Sequence, residues 1–203
     1  MTGGPDGQST GSPSAPSPAR PRWGLLAAIA VAVVVADQLT KWWATAELSD
    51  GHSVDLLWTL RLRLTRNFGS AFSLGQGRGA LISLLALGVV AVLLRSGRHA
   101  TRPAAAAALG LVLGGAMGNL ADRAFRAGEG LLGGGVVDFI DLQWWPVFNV
   151  ADMGVVCGAT LLVVVSWRDE AERSSADDDD AASEAEEPPV PDASEAAASG
   201  DET

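Results

Sequence analysis

The sequence predicts an all-α integral membrane protein built on four transmembrane helices, and three observations lead there. Of its 203 residues 48% are hydrophobic and the mean hydropathy is +0.21, too apolar for a soluble domain that also carries two polar tails. The apolar residues gather in separate segments whose lengths approach the roughly 20 residues a helix needs to cross a bilayer. Basic residues mark alternate ends of those segments: Arg20 and Arg22, then Arg95, Arg98 and Arg102, then Arg168. The formal charge of -10 belongs to the C-terminal tail, because 14 of the 24 acids lie from Asp169 onward, where Arg173 is the only base. Acidity therefore says nothing about a substrate.

Residues 1–19 are Gly, Ser, Pro and Ala with almost no bulky apolar group, and are expected to be a disordered cytoplasmic tail. The first span, residues 23–46, follows Arg20 and Arg22. Its Ala30-Val31-Ala32 resembles a signal-peptide cleavage site, but the helical pattern continues through DQLTKWWA and three further apolar segments follow. The second span, residues 79–94, is free of charge and closed by Arg95. The third, residues 103–121, opens with a proline at the first turn, where a helix tolerates one. The fourth, residues 150–167, is entered from Pro146 and closed by Arg168. Residues 20–168 thus form the membrane domain, and residues 169–203, with their DDDD run, are expected to be a disordered acidic tail.

The positive-inside rule puts both termini and the short second connection in the cytoplasm. Trp23 and Trp167 then lie at the inner interface and Trp42, Trp43, Trp144 and Trp145 at the outer one, as an aromatic belt requires. In the first external connection residues 60–66 alternate leucine with arginine or threonine, the period of a half-buried strand. Its leucines are expected to face the membrane domain, and its arginines water or lipid head groups.

Chemistry is concentrated between Gly114 and Asp152. Gly110, Gly114 and Gly118 recur every fourth residue, a face that lets helix backbones approach closely. Asp122 is one step further along it and Asn119 lies three residues before Asp122, so both point into the bundle. Capping or pairing with an arginine explains Asp122 as well as direct catalysis does. Asn149 suits a helix N-cap and Asp152 the first turn after it. A cap accounts for Asn149 fully and for Asp152 less well, which marks Asp152 as functional at the edge of the apolar layer. Asp138 sits in the apolar run VVDFI, with Asp141 as its competitor, and spacing does not choose between them. Two carboxylates in a dry site share a proton and titrate as a pair, so one can take a proton from water while the other protonates a leaving nitrogen. Cys157 reads as a small helix residue, while His52 and His99 fall on opposite sides of the membrane, which leaves Cys/His and Ser/His catalysis poorly supported. A proton-coupled transporter would place acids nearer the bilayer midplane and often shows internal repeats. A scaffold held by the glycine face would leave the VVDF acid without a purpose.

Five motifs, DQLTK (37–41), NFGSAFS (67–73), GGAMGNLADR (114–123), VVDFID (136–141) and FNVAD (148–152), occur in one order and together resemble bacterial signal peptidase II. The resemblance covers residues 23–167. It implies a four-helix aspartic endopeptidase of the inner membrane that cuts prolipoproteins just before a diacylglyceryl-modified cysteine, under a small extracytoplasmic β-sheet cradle that includes the strand at residues 60–66. It further implies Asp138 and Asp152 as the catalytic pair, with Asp37, Lys41, Asn67, Asn119, Asp122, Arg123 and Asn149 supporting the site or binding substrate. No cofactor and no metal are expected; the expected partners are the lipid-modified precursors and membrane lipids, not nucleic acid, and the enzyme is expected to be a monomer. The chain departs from the family pattern at Phe68 and Ser70, where Thr and Ala are frequent, and in the compact segment between Asp138 and Asp152.

Overall fold

The computed structural model describes residues 20–69, 79–128 and 132–186. The chain runs α1 (Trp23–Glu47), β1 (Ser53–Leu57), β2 (Leu60–Asn67), α2 (Gly79–Gly97), α3 (Pro103–Phe125), β3 (Val136–Asp141) and α4 (Val150–Glu186). Four of these helices are long and apolar enough to cross a membrane. Helix α3 is the centre of the bundle: half of its most apolar window is buried, against 17% to 22% for the others. It packs against α1, α2 and α4.

Small residues explain how one helix serves three neighbours. A Cβ on Gly110 or Gly114 would lie 2.7 Å from the Leu26 or Ala30 carbonyl oxygen of α1, so that face accepts only glycine without a shift. A second face, which the fourfold spacing does not reveal, turns to α4: a Cβ on Gly115 would overlap the Ala151 carbonyl, and one on Gly158 would lie 2.8 Å from the Ala108 carbonyl. At the basic end Leu26, Ala30, Leu93, Ala106, Leu109 and Leu113 make an apolar core. There the Arg22 N–H and Nε bind the Ala100 and Thr101 carbonyls at 2.9 and 3.0 Å, tying the start of α1 to the α2–α3 turn.

At the opposite end β1, β2 and β3 form one antiparallel sheet in that order. The strand expected at residues 60–66 is β2, and Leu62 and Leu64 do pack inward, against Ala44, Leu48, Val137 and Phe139. Its arginines lie on the outer face, partly exposed as expected, and Arg61 and Arg63 also reach Asp141 of β3 at 2.8 and 3.1 Å, because that carboxylate stands on the neighbouring strand opposite Arg61. Further along the same two strands, Thr65 is in register with Asp138 and Asn67 with Val136. The Phe148 N–H and carbonyl bind Ile140, which fastens the entry of α4 to β3.

The C-terminal boundary is corrected. Helix α4 does not stop at Arg168 but continues to Glu186, through the first part of the segment expected to be disordered. Its alanines and glutamates are good helix formers, and Arg102 from the α2–α3 turn pairs with both Asp169 and Glu172. Its 37 residues make a rod of about 55 Å, far longer than a bilayer core of roughly 30 Å. The remaining tail residues, 1–19 and 187–203, and the second half of the NFGSAFS motif lie outside the described residues.

Candidate active site

The fastening of Phe148 to Ile140 sets the start of α4 beside the middle of β3, and so brings Asp138 to Asn149 and Asp152. Asn149 and Asp152 close a reciprocal cap: the Asp152 N–H donates to Asn149 Oδ1 at 3.0 Å, and the Asn149 N–H to Asp152 Oδ2 at 3.2 Å. That leaves Asp152 Oδ1 to accept from Asn119 Nδ2 at 2.8 Å. Asn149 Nδ2 donates to Asp138 Oδ1 at 2.6 Å and lies 3.1 Å from Asn119 Oδ1. Each aspartate is therefore aimed by one of two asparagines that also touch each other.

Behind the asparagines lies a charged layer with no access to solvent. Lys41, fully buried on α1, has three ammonium donors and three acceptors at 2.9 Å: Asp37 Oδ2, Asp122 Oδ2 and Asn119 Oδ1. The contact with Lys41 fixes which way the Asn119 amide points, carbonyl to the ammonium and NH₂ to Asp152. Asp37 Oδ1 accepts the Ala151 N–H at 2.9 Å, and Asp122 Oδ2 accepts the Val137 N–H at 3.0 Å. So each carboxylate of the layer holds the backbone of the residue immediately before Asp152 or Asp138. Gly118 makes room for this layer, since a Cβ there would stand 2.6 Å from Asp37 Oδ2.

Asp138 and Asp152 open into one cavity of about 270 Å³, which Asn67, Asn119 and Arg123 share on its polar side and Ile82, Ala86, Ala116, Leu120 and Val136 on its apolar side. Burial, and then the neighbouring Asp152 carboxylate, push the Asp138 acid up from 3.8 to about 6, against the opposing amides of Asn149 and Asn67. Asp141 is the contrasting case. Burial alone would push it up, but the Gln143 N–H and the Arg61 and Arg63 guanidiniums hold it below the usual carboxylate range. Asp141 is thus paired within the sheet, whereas Asp138 opens into the cavity. Arg123 is buried, and its Nη1 has no hydrogen-bond partner among the described residues. Among those residues no cluster of His, Cys, Asp and Glu is placed to hold a metal ion.

A family model described as Signal peptidase (SPase) II matches residues 29–168. The chain belongs to the signal peptidase II family. The lipoprotein signal peptidase of Rhodococcus jostii (strain RHA1) is 50% identical over 159 residues, which cover 76% of this chain and 80% of that protein. Its counterpart from Mycobacterium tuberculosis (strain ATCC 25618 / H37Rv) is 46% identical over 167 residues, 82% of each. A bacterial membrane enzyme solved by the in meso method has the same fold, with a TM-score of 0.65 at 26% identity, covering 75% of this chain and 93% of that one. Signal peptidase II removes signal peptides from prolipoproteins, and this chain has four helices long and apolar enough to cross a membrane.

All nine residues expected at the site of this signal peptidase II meet in one network around the cavity: Asp138 and Asp152 at its wall, Asn119 and Asn149 between them, Asp37, Lys41 and Asp122 behind, and Asn67 and Arg123 beside. Two participants are not singled out by sequence reasoning. Gln38 Nε2 bridges Asp37, the Gly118 carbonyl and Asp122 at 3.1 to 3.3 Å, and Arg126 Nε binds Asp122 Oδ1 at 2.6 Å. The four-residue spacing of Asp122 and Arg126 is the signal that finds the second. No periodicity points to Gln38.

Proposed function

We propose that this signal peptidase II is an aspartic endopeptidase that removes signal peptides from prolipoproteins by hydrolysing the bond before the diacylglyceryl-modified cysteine, with Asp138 and Asp152 as the catalytic pair. The observation that carries this reading is that, among the described residues, these two acids line the cavity with no cation paired to either, each aimed by an amide. One proton is shared between them. The ionised member takes a proton from a water held between the two, and the water oxygen bonds to the scissile carbonyl carbon. The protonated member donates to the departing nitrogen as the C–N bond breaks, and the pair returns to its one-proton state. Arg123 Nη1 donates to a substrate carbonyl, which meets an otherwise unmet donor.

The bases at the α2–α3 turn and the exposed Trp42, Trp43, Trp144 and Trp145 at the other end support cytoplasmic termini and a site near the outer leaflet of the bacterial inner membrane. The precursor enters laterally, its acyl chains staying in the bilayer. The test is cleavage of a prolipoprotein peptide by purified full-length enzyme, read by mass spectrometry. Cleavage before the cysteine only when it carries diacylglyceryl, with a loss of about 10⁴-fold or more in folded Asp138→Asn and Asp152→Asn, is expected. Full activity in either variant would sink the assignment.

A further inference from the structure

Asp152 lies on two surfaces at once. Besides the catalytic cavity it borders a groove of about 450 Å³ that runs down the outer side of α4, walled by Trp144, Trp145, Phe148, Met153, Val156 and Cys157. Apart from the Asp152 carboxylate and the indole N–H groups of Trp144 and Trp145 at its mouth, this lining offers hydrocarbon, aromatic faces and one thiol, too few polar groups to satisfy an unwound peptide. Its lower wall, Cys157, is five residues past Asp152, about 7.5 Å deeper along the helix. Its mouth is the edge-to-face pair of Trp144 and Trp145, with ring centroids 6.0 Å apart, both largely exposed.

We propose that this groove seats one acyl chain of the substrate's diacylglyceryl group. The inference rests on the reading of the chain as a peptidase acting on lipid-modified precursors, and it adds the place where the lipid is read. The departing nitrogen belongs to the modified cysteine itself, so the glyceryl thioether begins within one side chain of the reacting atoms. A groove that starts at a catalytic acid and is lined by hydrocarbon is where such a chain goes. The Trp144 and Trp145 indole N–H groups are donors at the level of the ester carbonyls, as interfacial tryptophans are. The polar wall of the catalytic cavity, with Asn67, Asn119 and Arg123, is left for the peptide backbone. Because bilayer lipid is as apolar as the groove, the chain gains by fit and not by leaving water. Its effect is therefore selection of substrates by acyl chain.

Two measurements test this in the full-length enzyme in nanodiscs. A substrate peptide carrying a photoreactive diazirine in one acyl chain is expected to label Met153, Val156 or Cys157, and unlabelled substrate should compete the label away. Label that unlabelled substrate does not compete away would mean that bulk lipid fills the groove. Label from a diazirine in the signal peptide's apolar segment instead would assign the groove to peptide. Either result overturns the proposal. In parallel, Cys157→Trp, which faces lipid, is expected to lower kcat/KM about tenfold for a dipalmitoyl substrate while leaving a dibutyryl one unchanged. Equal losses on both substrates, or none on either, also overturn it. If the wild type cleaves neither substrate, the peptidase reading is what fails, and competed acyl labelling still decides the groove.

Discussion

The site contains two pairs of aspartates that differ in what surrounds them: Asp37, Asp122 and Asp138 are buried, and Asp152 is half-buried. Asp37 and Asp122 are bound to Lys41, and Asp122 to Arg126 as well. Asp138 and Asp152 receive amides from Asn149 and Asn119, and neither forms an ion pair among the described residues. The first pair is neutralised and holds backbone; the second keeps the freedom to exchange a proton. On the proposed reading, compensated charge builds the site and the less compensated pair performs its chemistry.

Removing the compensation breaks the comparison most severely. Lys41→Met leaves Asp37 and Asp122 facing each other without their shared cation, and the expected loss is about 3–5 kcal/mol of stability, with activity lost alongside it. Adding Asp37→Asn and Asp122→Asn to Lys41→Met should restore much of the thermal stability, because three buried charges have then gone together. A triple variant no more stable than Lys41→Met alone would mean that the layer is not held by charge balance.

Cutting the link between the pairs sharpens the comparison. Asn119 carries the orientation of Lys41 to Asp152, so Asn119→Ala should lower kcat about a hundredfold with little change in KM. A rise in KM at unchanged kcat would instead make Asn119 a binding group.

The mildest effect is that of pH. Asp138 holds its proton more tightly in the fold than in the unfolded chain, where 3.8 applies, and releases it near 6. The folded state therefore binds more protons in that window, so this group makes the fold less stable as pH rises from 3.8 to about 6. Asp138→Asn should flatten that slope in thermal melts. The same proton is needed for the shared-proton pair, so kcat/KM of the wild type should begin to fall as pH rises above about 6. A profile flat from about pH 5 to about pH 8 would contradict a shared proton with that affinity.

The four spans are legible in the sequence because each is a run of apolar residues bounded by charge. Asp138 and Asp152 stand out because an acid in an apolar run needs an explanation, but the preference for Asp138 over Asp141 comes from the resemblance to signal peptidase II and not from spacing. The length of α4 is not legible, since a DDDD run reads as solvated chain and the pairing of Arg102 with Asp169 and Glu172 joins residues far apart in sequence. Gln38 is hidden for a similar reason: its partners are on α3, and only the close approach over Gly118 brings them within reach. Asp122, left open by sequence between pairing and catalysis, has both its oxygens taken by Arg126, Lys41 and the Val137 N–H, which supports the pairing role. Asp141 pairs with Arg61 and Arg63, two partly exposed arginines of the outer face, a partnership across strands that alternation does not reveal.

The most direct test sets the two pairs side by side: kcat on a diacylglyceryl-modified prolipoprotein peptide and the thermal midpoint, both measured on the same preparations of Asp138→Asn, Asp152→Asn, Asp37→Asn and Asp122→Asn. Asp138→Asn and Asp152→Asn should be inactive with midpoints at or near that of the wild type, while Asp37→Asn and Asp122→Asn should lose thermal stability and keep measurable turnover at temperatures where they remain folded. An active Asp138→Asn or Asp152→Asn, or an Asp122→Asn that is inactive at an unchanged midpoint, would show that the division between holding and reacting carboxylates is wrong.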